Sequence, residues 1–221
     1  MTHSTQQYDI TVACDEADLL QACALRAEAY GHHLGPAVDG FASIEDLDRE
    51  PGTWVLLCRD AESGEVLGTA RIQTNQQRSL MVERSMILPH QIARSSRAEV
   101  TRLAVRPGAD RGVKLALMRA VYQLCSVMSV EWLVICARSE SLARTYRALG
   151  FEDFLEPGQR VLLAHAGNLP HLVLTMNLAH TRQRWQHTGH RLRTFMLEGE
   201  QLQWLATLHL SHQRDQQARV A

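Results

Sequence analysis

The segment from residue 99 to residue 137 constrains the fold more than any other part of the chain. Residues 99–105 are predicted to form a strand, residues 106–112 a turn and residues 113–128 a helix. The apolar run Trp132–Ala137 follows at once and is typical of a strand buried on both faces. Strand, helix and strand in this tight order predict a right-handed crossover between two parallel strands of one sheet.

Further elements are predicted on both sides of this crossover. Asp15 and Asp18 are candidate caps for a helix that follows a first strand. Two strand-like runs are joined by a polar connection that contains Gly64, which predicts a hairpin. The predicted elements are a strand at residues 8–13, a helix to about residue 30, hairpin strands at 54–59 and 66–73, a helix that Ser139 or Ser141 begins and Gly150 ends, a strand at 171–178, and helical structure near the C-terminus.

Length and composition favour one domain. The chain has 221 residues, of which 45% are hydrophobic and 21% charged, enough to bury one good core. We expect a principal domain over residues 1–195 and a helical extension over residues 196–221, with Leu202, Leu205 and Leu208 as its docking stripe. No window approaches the roughly 18 apolar residues that span a bilayer, and the polar start lacks the regions of a signal peptide. These features predict a cytoplasmic protein without a membrane span.

Charge and metal-ligand residues argue against two further classes of protein. The net charge is −1, so the bulk electrostatics give no reason to expect a nucleic-acid partner. The five cysteines show no metal-binding spacing and are predicted to be small core residues. His187 and His190 would share a helical face, but no third ligand stands at a telling spacing. We therefore expect no metal site.

The predicted helix after Ser139 ends in the sequence Tyr146-Arg-Ala-Leu-Gly-Phe151. Together with the order of strands and helices, this motif resembles the GNAT superfamily of acyltransferases. The resemblance implies a mixed α/β (α+β) fold, in which helices flank a central sheet that splays between its fourth and fifth strands and admits a thioester arm. It also implies that Tyr146 protonates the departing thiolate. The alternative is that Tyr146 and Phe151 only pack the helix on the sheet.

The predicted helix start near residue 112 bears on the identity of the thioester donor. GNAT enzymes that use coenzyme A hold its pyrophosphate on a loop of the form Q/R-x-x-G-x-G/A, and the matching stretch here is residues 111–116. Lys114 replaces the glycine and would crowd a pyrophosphate. An acyl carrier protein presents one phosphate and an acidic surface, so it requires more positive charge around the entrance. Four basic residues fit that requirement, with an ordinary solvated face as the alternative: Arg106, Arg111, Lys114 and Arg119.

A second resemblance rests on four short patterns, which are Arg26 with Tyr30, Glu45-x-x-Asp48, Gly68-Thr-Ala-Arg71 and Glu99-x-x-Arg102. In order and spacing they are similar to patterns of the acyl-homoserine-lactone (autoinducer) synthases and of the long-chain N-acyl amino acid synthases. The match spans roughly residues 26–151. The run at residues 100–105 and the intact Tyr146 motif are closer to the N-acyl amino acid synthases, so we favour that branch over a lactone product.

Acyl transfer to an amine requires a base, because the amine attacks a thioester only when it is neutral. Glu99 is the natural candidate, directly or through water. In a regular strand Glu99 and Arg102 would point to opposite faces, whereas a bulge would bring both to one side and free backbone amides for the acyl oxygen. The sequence predicts this bulge near Val100 and Thr101. The donor-binding positions that the resemblance implies are Thr101, Leu103, Val105, Arg111, Gly112 and Lys114.

An amino acid acceptor would need a cation for its carboxylate, and arginine suits this role through its bidentate geometry. Arg71 and Arg102 are the candidates, whereas Arg26 would pair with Glu45 or Asp48. Structural ion pairing is the alternative for all three arginines. The substrate-binding residues that the resemblance implies are Arg26, Tyr30, Glu45, Asp48, Arg71 and Arg102.

The sequence therefore predicts an N-acyltransferase. Its donor would be a phosphopantetheine thioester, carried by an acyl carrier protein or by coenzyme A, with no permanently bound cofactor. Its acceptor would be a small-molecule amine, which the resemblance implies is the amino group of an amino acid. Two alternatives remain open: an acetyl-coenzyme A-dependent N-acetyltransferase of a small molecule or protein, and a non-catalytic acyl-binding or regulatory module of the same fold.

Overall fold

The computed structural model describes residues 8–34 and 41–197, which contain eight strands and six α-helices. The strands are β1 (Tyr8–Val12), β2 (Thr53–Asp60), β3 (Val66–Thr74), β4 (Arg97–Val105), β5 (Trp132–Ala137), β6 (Glu152–Asp153), β7 (Val161–Leu163) and β8 (Leu169–Asn177). The helices are α1 (Glu16–Leu34), α2 (His90–Ala93), α3 (Arg111–Val127), α4 (Glu140–Ala148), α5 (Leu178–Thr188) and α6 (Arg193–Leu197). Short 3-10 turns lie at Asp46–Arg49, Met81–Arg84 and Ala164–Ala166.

One mixed sheet organises these elements. Its order is β1-β2-β3-β4-β5-β8-β6, and β7 pairs with β8 beside that path. The pair of β4 and β5 is parallel, and the other pairs among the described strands are antiparallel. The predicted mixed α/β architecture, with helices flanking a central sheet, is confirmed.

The parallel pair of β4 and β5 confirms the crossover predicted from the sequence. Pairing begins with Arg97 opposite Trp132 and stops with Val100 opposite Ile135. Beyond this point β4 continues along β3 as far as Val105, and β5 continues along β8. The two strands therefore diverge in the second half of β4, which is the splay that the resemblance implied.

The remaining predictions for single elements hold with small differences in their bounds. β2 and β3 form the predicted hairpin. Asp15 accepts a hydrogen bond from the amide of Asp18 (2.9 Å) and thereby caps α1, while Ser139 caps α4. Helix α1 extends to Leu34 rather than ending near Tyr30.

The two faces of the sheet differ in chemistry, as β3 shows. Ala70 and Ile72 belong to the large apolar core between the sheet and α3. Thr69, Arg71 and Gln73 alternate with them and face the α1 side, where all three are buried. Polar and charged groups are thus enclosed on the α1 face of the sheet, whereas the α3 face is an ordinary hydrophobic core.

Helix α3 lies unusually close to β3. A Cβ atom on Gly68 would come within 2.7 Å of Val113 Cγ1 and 2.8 Å of Leu117 Cδ1. Only glycine therefore allows the helix to approach the strand at this point. The close packing fixes the position of α3 relative to the sheet, and with it the loop between β4 and α3 that borders the entrance of the split.

Predictions about the cysteines have a mixed outcome. Cys23, Cys58 and Cys125 are buried, and burial raises the pKa of each thiol. Cys136 is only partly buried and faces the interior cavity described below. The prediction was wrong for Cys14, which is exposed because it lies in the short connection between β1 and α1 rather than within either element.

The C-terminal extension is almost wholly outside the described residues. Helix α6 ends at Leu197, so the predicted stripe of Leu202, Leu205 and Leu208 stays a prediction, as does the domain boundary at residue 195. Among the described helices, none combines the length and the apolar character needed to cross a membrane.

Candidate active site

A large cavity fills the split between β4 and β5. Its volume is about 1020 Å³, which lies at the upper end of the roughly 300–1,000 Å³ range of small-molecule sites. Residues 99–105 form one wall and Ile135 with Cys136 form the opposite wall. Helices α1, α3 and α4 and the segment from β7 to β8 close the remaining sides. Apolar side chains that line the cavity include Leu103, Val105, Ile135, Leu142, Leu163 and Leu169.

A bulge in β4 opens this cavity. Thr69 of β3 pairs with Ala104 and Arg71 pairs with Thr101, so β4 contains one extra residue between those two pairs. Arg102 adopts a positive φ of 54°, a conformation that is uncommon for residues other than glycine. The predicted bulge therefore exists, but it lies just after the position near Val100 and Thr101 that the sequence suggested.

The position of the bulge follows from an ion pair that β4 forms with another segment. Arg102 Nε donates to Glu45 Oε2 (2.8 Å), and Arg102 Nη2 donates to Glu45 Oε1 (2.5 Å). This bidentate geometry holds the Arg102 side chain on the α1 face of the sheet. In a regular strand, the alternation of side chains would place it on the opposite face. Glu99 and Arg102 consequently lie on the same side of the sheet, as the sequence analysis required.

Glu99 is fully buried at the inner end of the split. Its Oε2 accepts a hydrogen bond from the amide of Val82 (2.9 Å), and its Oε1 has no hydrogen-bond partner among the described residues. Burial raises the pKa of Glu99 to about 7, although the amides of Met81 and Val82 and the charge of Arg71 oppose the change. A carboxyl group with this pKa changes charge near neutral pH, as a general base should.

The amides that face Glu99 come from the 3-10 turn Met81–Arg84. Arg97 clamps this turn to β4 through a bidentate pair with Glu83, with Nε to Oε1 and Nη2 to Oε2 both at 3.0 Å. This clamp was not predicted from the sequence. The spacing of Arg97 and Glu99 on one face of the strand was the available signal, but nothing in the pattern indicated their partners in an irregular segment.

His165 is a second residue that the sequence analysis did not single out. It lies in the 3-10 turn Ala164–Ala166, and its Nε2 is 3.6 Å from Glu99 Oε1. Burial lowers the pKa of His165 to about 4, with a further contribution from the charge of Arg102. The imidazole is therefore neutral at physiological pH. No periodicity surrounds this histidine, so its place in the cavity could not have been read from sequence.

A buried network of ion pairs supports the α1 face behind the cavity. Arg71 Nη1 donates to Glu45 Oε2 (2.5 Å) and to Asp48 Oδ1 (3.2 Å), and Arg26 Nη1 donates to Asp48 Oδ2 (2.8 Å). The side chains of Arg26 and Arg71 are each 1% exposed. Each of the four sequence patterns contributes an arginine or an acid to this one cluster, which joins Arg26, Glu45, Asp48, Arg71 and Arg102. This geometry favours a structural role for Arg26 and Arg71.

Arg102 and Tyr30 are the members of the predicted substrate-binding set that line the cavity. The Arg102 guanidinium lies over the ring of Phe41, with its Cζ 4.6 Å from the ring centroid. Tyr30 packs on the same ring at 4.9 Å, and its hydroxyl is 3.5 Å from the carbonyl oxygen of Leu103 in the bulge. An aromatic wall thus holds both the arginine and the bulge in place.

Tyr146 lines the cavity on the α4 side. It is 3% exposed and packs against Phe151 with the ring centroids 6.0 Å apart. Burial raises the pKa of Tyr146 above its usual value, so the phenol stays protonated and is a hydrogen-bond donor at neutral pH. Gly150 makes the motif possible, because it ends α4 at a φ of 97° in the close vicinity of Thr181.

The predicted donor-binding residues fall into two groups. Thr101, Leu103, Val105 and Lys114 line the cavity, whereas Arg111 and Gly112 lie in the first turn of α3 beyond the lining. Burial lowers the pKa of the Lys114 amine. The split and the first helical turn are therefore adjacent but distinct parts of the entrance.

The first turn of α3 already carries its own carboxylate. Asp110 Oδ1 accepts hydrogen bonds from the amide of Gly112 (2.6 Å) and from the hydroxyl of Tyr8 (3.2 Å). The hydrogen bond from Gly112 lowers the pKa of Asp110, which keeps the side chain ionised. A negative charge thus lies at the helix N-terminus, where coenzyme A-dependent GNAT enzymes hold pyrophosphate.

Two of the four basic residues expected near the entrance have partners within the molecule. Arg106 pairs with Glu65, and its Nε is 3.9 Å from Glu28 Oε2. Arg119 lies over the ring of Phe195 at 5.2 Å. Arg111 and Lys114 therefore remain the stronger candidates for contact with a donor.

The chain is similar to known proteins both in its sequence family and in its fold. The family model described as N-acyl amino acid synthase FeeM matches residues 21–178. FeeM itself, an N-acyl amino acid synthase from uncultured soil microbes, superposes with a TM-score of 0.63 at 15% identity, over 87% of this chain and 99% of that chain. No curated protein matches the chain by sequence.

Two further solved structures share the fold. The acyl-homoserine-lactone synthase LasI superposes with a TM-score of 0.53 at 16% identity, over 78% of this chain and 91% of LasI. An acyl-CoA N-acyltransferase from Pseudomonas aeruginosa superposes with a TM-score of 0.51 at 18% identity, over 78% of this chain and 99% of that chain. The family match covers most of the chain and includes the split, the bulge and Tyr146. The chain therefore belongs to the FeeM family of N-acyl amino acid synthases and is an N-acyltransferase with the GNAT fold.

Proposed function

We propose that this N-acyltransferase takes its acyl group from an acyl carrier protein and transfers it to the amino group of an amino acid. The observation that carries the proposal is Glu99, a carboxyl group with a pKa of about 7 that lies fully buried at the inner end of a large split in the sheet. A base of this kind is suited to deprotonating an amine near neutral pH.

The proposed donor follows from the charges at the entrance. Asp110 occupies the N-terminus of α3 and would repel the pyrophosphate of coenzyme A. Lys114 adds a cation beside the split, where a single phosphate on a pantetheine arm would pass. Fewer phosphate contacts and an acidic partner surface are the properties of a carrier protein rather than of a free nucleotide. The cytoplasmic location predicted from the sequence remains a prediction.

The proposed acyl group is longer than acetyl. A cavity of about 1020 Å³ exceeds what a two-carbon group beside a pantetheine thiol requires. Its walls are mostly apolar, which favours a hydrocarbon chain because each buried methylene contributes about 0.8 kcal/mol. Leu163 in β7 and Leu169 in β8 are among the apolar residues of this lining.

The proposed chemistry uses three groups along the split. Glu99 Oε1 takes a proton from the attacking amine, directly or through water. Backbone amides of the bulge stabilise the negative charge that develops on the thioester carbonyl oxygen. Tyr146 donates a hydrogen bond to the sulfur as the carbon–sulfur bond breaks. The carbon–nitrogen bond forms as the carbon–sulfur bond and one amine N–H bond break. The amine proton passes to Glu99, and the departing thiolate takes the phenolic proton of Tyr146. Glu99 then releases its proton to solvent and the Tyr146 phenolate regains one, so the net products are one amide and one thiol.

The proposed acceptor is an amino acid because a cation lies near the base. Arg102 borders the cavity on the same face as Glu99 and is 11% exposed, unlike the enclosed Arg26 and Arg71. Both oxygens of Glu45 already engage its guanidinium, so an acceptor carboxylate would share Arg102 with Glu45.

A donor panel tests the proposal. The enzyme is incubated with a mixture of amino acids and with carrier-protein thioesters of several lengths, in parallel with acetyl- and long-chain acyl-coenzyme A, and the products are identified by mass. We expect long-chain N-acyl amino acids from the carrier thioesters and slower turnover with coenzyme A thioesters. The Lys114→Gly variant should reduce this preference. Preferred turnover of acetyl-coenzyme A, or donor binding without any product, would contradict the proposal.

A further inference from the structure

Glu99 and His165 form a close pair beside the cavity. The two side chains are 0% and 5% exposed, and Glu99 Oε1 is 3.6 Å from His165 Nε2. This separation is a few tenths of an ångström longer than a hydrogen bond. Hydrogen bonds in ligand-free catalytic sites are often long and tighten when substrate binds. Glu99 Oε1 has no hydrogen-bond partner among the described residues, and the ring nitrogen of His165 lies close enough to become one after a small approach.

The fold places the imidazole through two 3-10 turns that contact one another. The turn Met81–Arg84 supplies the Val82 amide to Glu99 Oε2. The turn Ala164–Ala166 carries His165, and its Ala164 amide donates to the hydroxyl of Ser85 (2.9 Å) at the end of the first turn. Each oxygen of the carboxylate thus faces one of the two turns, which are tied together by this hydrogen bond.

Charged and titratable groups from several elements face the pair. The positive charges of Arg71 on β3 and Arg102 on β4 disfavour an imidazolium, and His171 on β8 acts in the same direction. Glu83 in the first turn opposes the ionisation of Glu99. Cys136 on β5 lies close enough for Glu99 to raise the pKa of its thiol. In these surroundings the stable combination near neutral pH is a neutral imidazole beside a carboxyl group that ionises.

We propose that His165 is a positioning residue for the base, and that its neutral imidazole directs the Nε2 proton at Glu99 Oε1. The contact stabilises the carboxylate and orients Oε1, whose remaining lone pair accepts the proton of the amine. In this step an amine N–H bond breaks and an O–H bond forms on Glu99, while the imidazole keeps its own proton. The use of the pair in catalysis rests on the proposed function, whereas the effect of His165 on Glu99 does not.

Removal of this donor should make Glu99 a base only at higher pH. A hydrogen bond to a carboxylate favours its charged form, so its loss should raise the pKa of Glu99, by about one unit. The ionised fraction at pH 7 would then fall from about one half to about one tenth, and kcat would fall roughly fivefold. The acid limb of the kcat profile should move upward by the same amount. KM for the acceptor should stay unchanged, because the imidazole does not bind it.

Paired substitutions separate hydrogen bonding from packing. His165→Leu keeps the site apolar and removes the donor, with His165→Phe as a second variant should the leucine variant fail to fold. His165→Gln retains an N–H group at a similar reach. His180→Leu, at an exposed position on α5, is the matched control. The ionisation of Glu99 is followed in the resting enzyme by carboxyl infrared difference spectra, with Glu99→Gln as the spectral reference.

We expect Glu99 to titrate about one pH unit higher in His165→Leu or His165→Phe, and near the wild-type pH in His165→Gln and His180→Leu. Equal titration in all variants would overturn the inference, as would a shift in His165→Gln as large as that in His165→Leu. Because no donor or acceptor is present, the result stands apart from the acyl-transfer assay. A shifted titration in an enzyme that makes no amide would refute the proposed function and leave the positioning role intact.

Discussion

Glu99 combines complete burial with hydrogen bonding to one of its two oxygens. The Val82 amide donates to Oε2, and Oε1 has no hydrogen-bond partner among the described residues. Desolvation is the main cause that raises its pKa to about 7, because a carboxylate loses most of its hydration in this position. At neutral pH the folded protein therefore contains a desolvated carboxyl group that is about half ionised, and this desolvation lowers the stability of the fold.

The cost of this arrangement should appear in the pH dependence of stability. The pKa of Glu99 is raised from its ordinary value of 4.5, so its contribution to stability is complete below about pH 4.5 and is lost as pH rises through about 7. The shift corresponds to about 3 kcal/mol at 1.36 kcal/mol per unit. Glu99→Gln should lack this loss and should gain stability relative to the wild type between pH 4.5 and pH 8.

Denaturant unfolding of both proteins across this pH range measures the difference. The depressed pKa of His165 acts in the opposite direction between about pH 4 and pH 6.5, so the variant-minus-wild-type difference is the informative quantity rather than either curve alone. A difference that stays flat with pH would mean that Glu99 titrates at its ordinary value.

At the scale of elements, the bulge in β4 and the ion-pair network are physically linked, because Arg102 belongs to both. Glu45 joins Arg71 and Arg102, and Asp48 joins Arg71 and Arg26, so the turn Asp46–Arg49 and its preceding residue are fastened to α1, β3 and β4. The bulge depends on this turn, because Glu45 holds Arg102 at its positive φ. Loss of one arginine would leave buried carboxylates without compensation.

Arg71→Ala tests whether this network is structural. Breaking a buried ion pair by removing one partner costs about 3–5 kcal/mol, and we expect a loss of unfolding free energy of that size. Arg49→Ala is the matched control, since its pair with Glu16 is exposed, and it should cost less than about 1 kcal/mol. A large increase in acceptor KM with little change in stability would instead show that Arg71 binds substrate.

Sequence alone predicted the elements more fully than the site. The crossover from β4 to β5 follows from periodicity and from the apolar run Trp132–Ala137, both of which are local properties. The bulge was predicted in kind but not in position, because its position depends on a partner from a distant turn. His165 was missed because the segment between β7 and β8 has no repeating pattern, and only tertiary packing brings it to Glu99.

At the scale of the whole molecule, the sheet separates two tasks. The α3 face carries the large apolar core that stabilises the fold, and the α1 face carries the charged network and Glu99, the proposed base. The split between β4 and β5 joins the two faces at the cavity, with Lys114 and the capped start of α3 on one side and Glu99 at the inner end.

The central claim is that this split catalyses amide formation with Glu99 as the base. The most direct test incubates a long-chain carrier-protein thioester and an amino acid mixture with the enzyme, and measures the mass of the product together with the thiol released. We predict one N-acyl amino acid for each thiol released by the wild type. Glu99→Gln should bind the donor normally and form almost no amide. Undiminished amide formation by Glu99→Gln, or release of thiol with free fatty acid as the only product of the wild type, would contradict the claim.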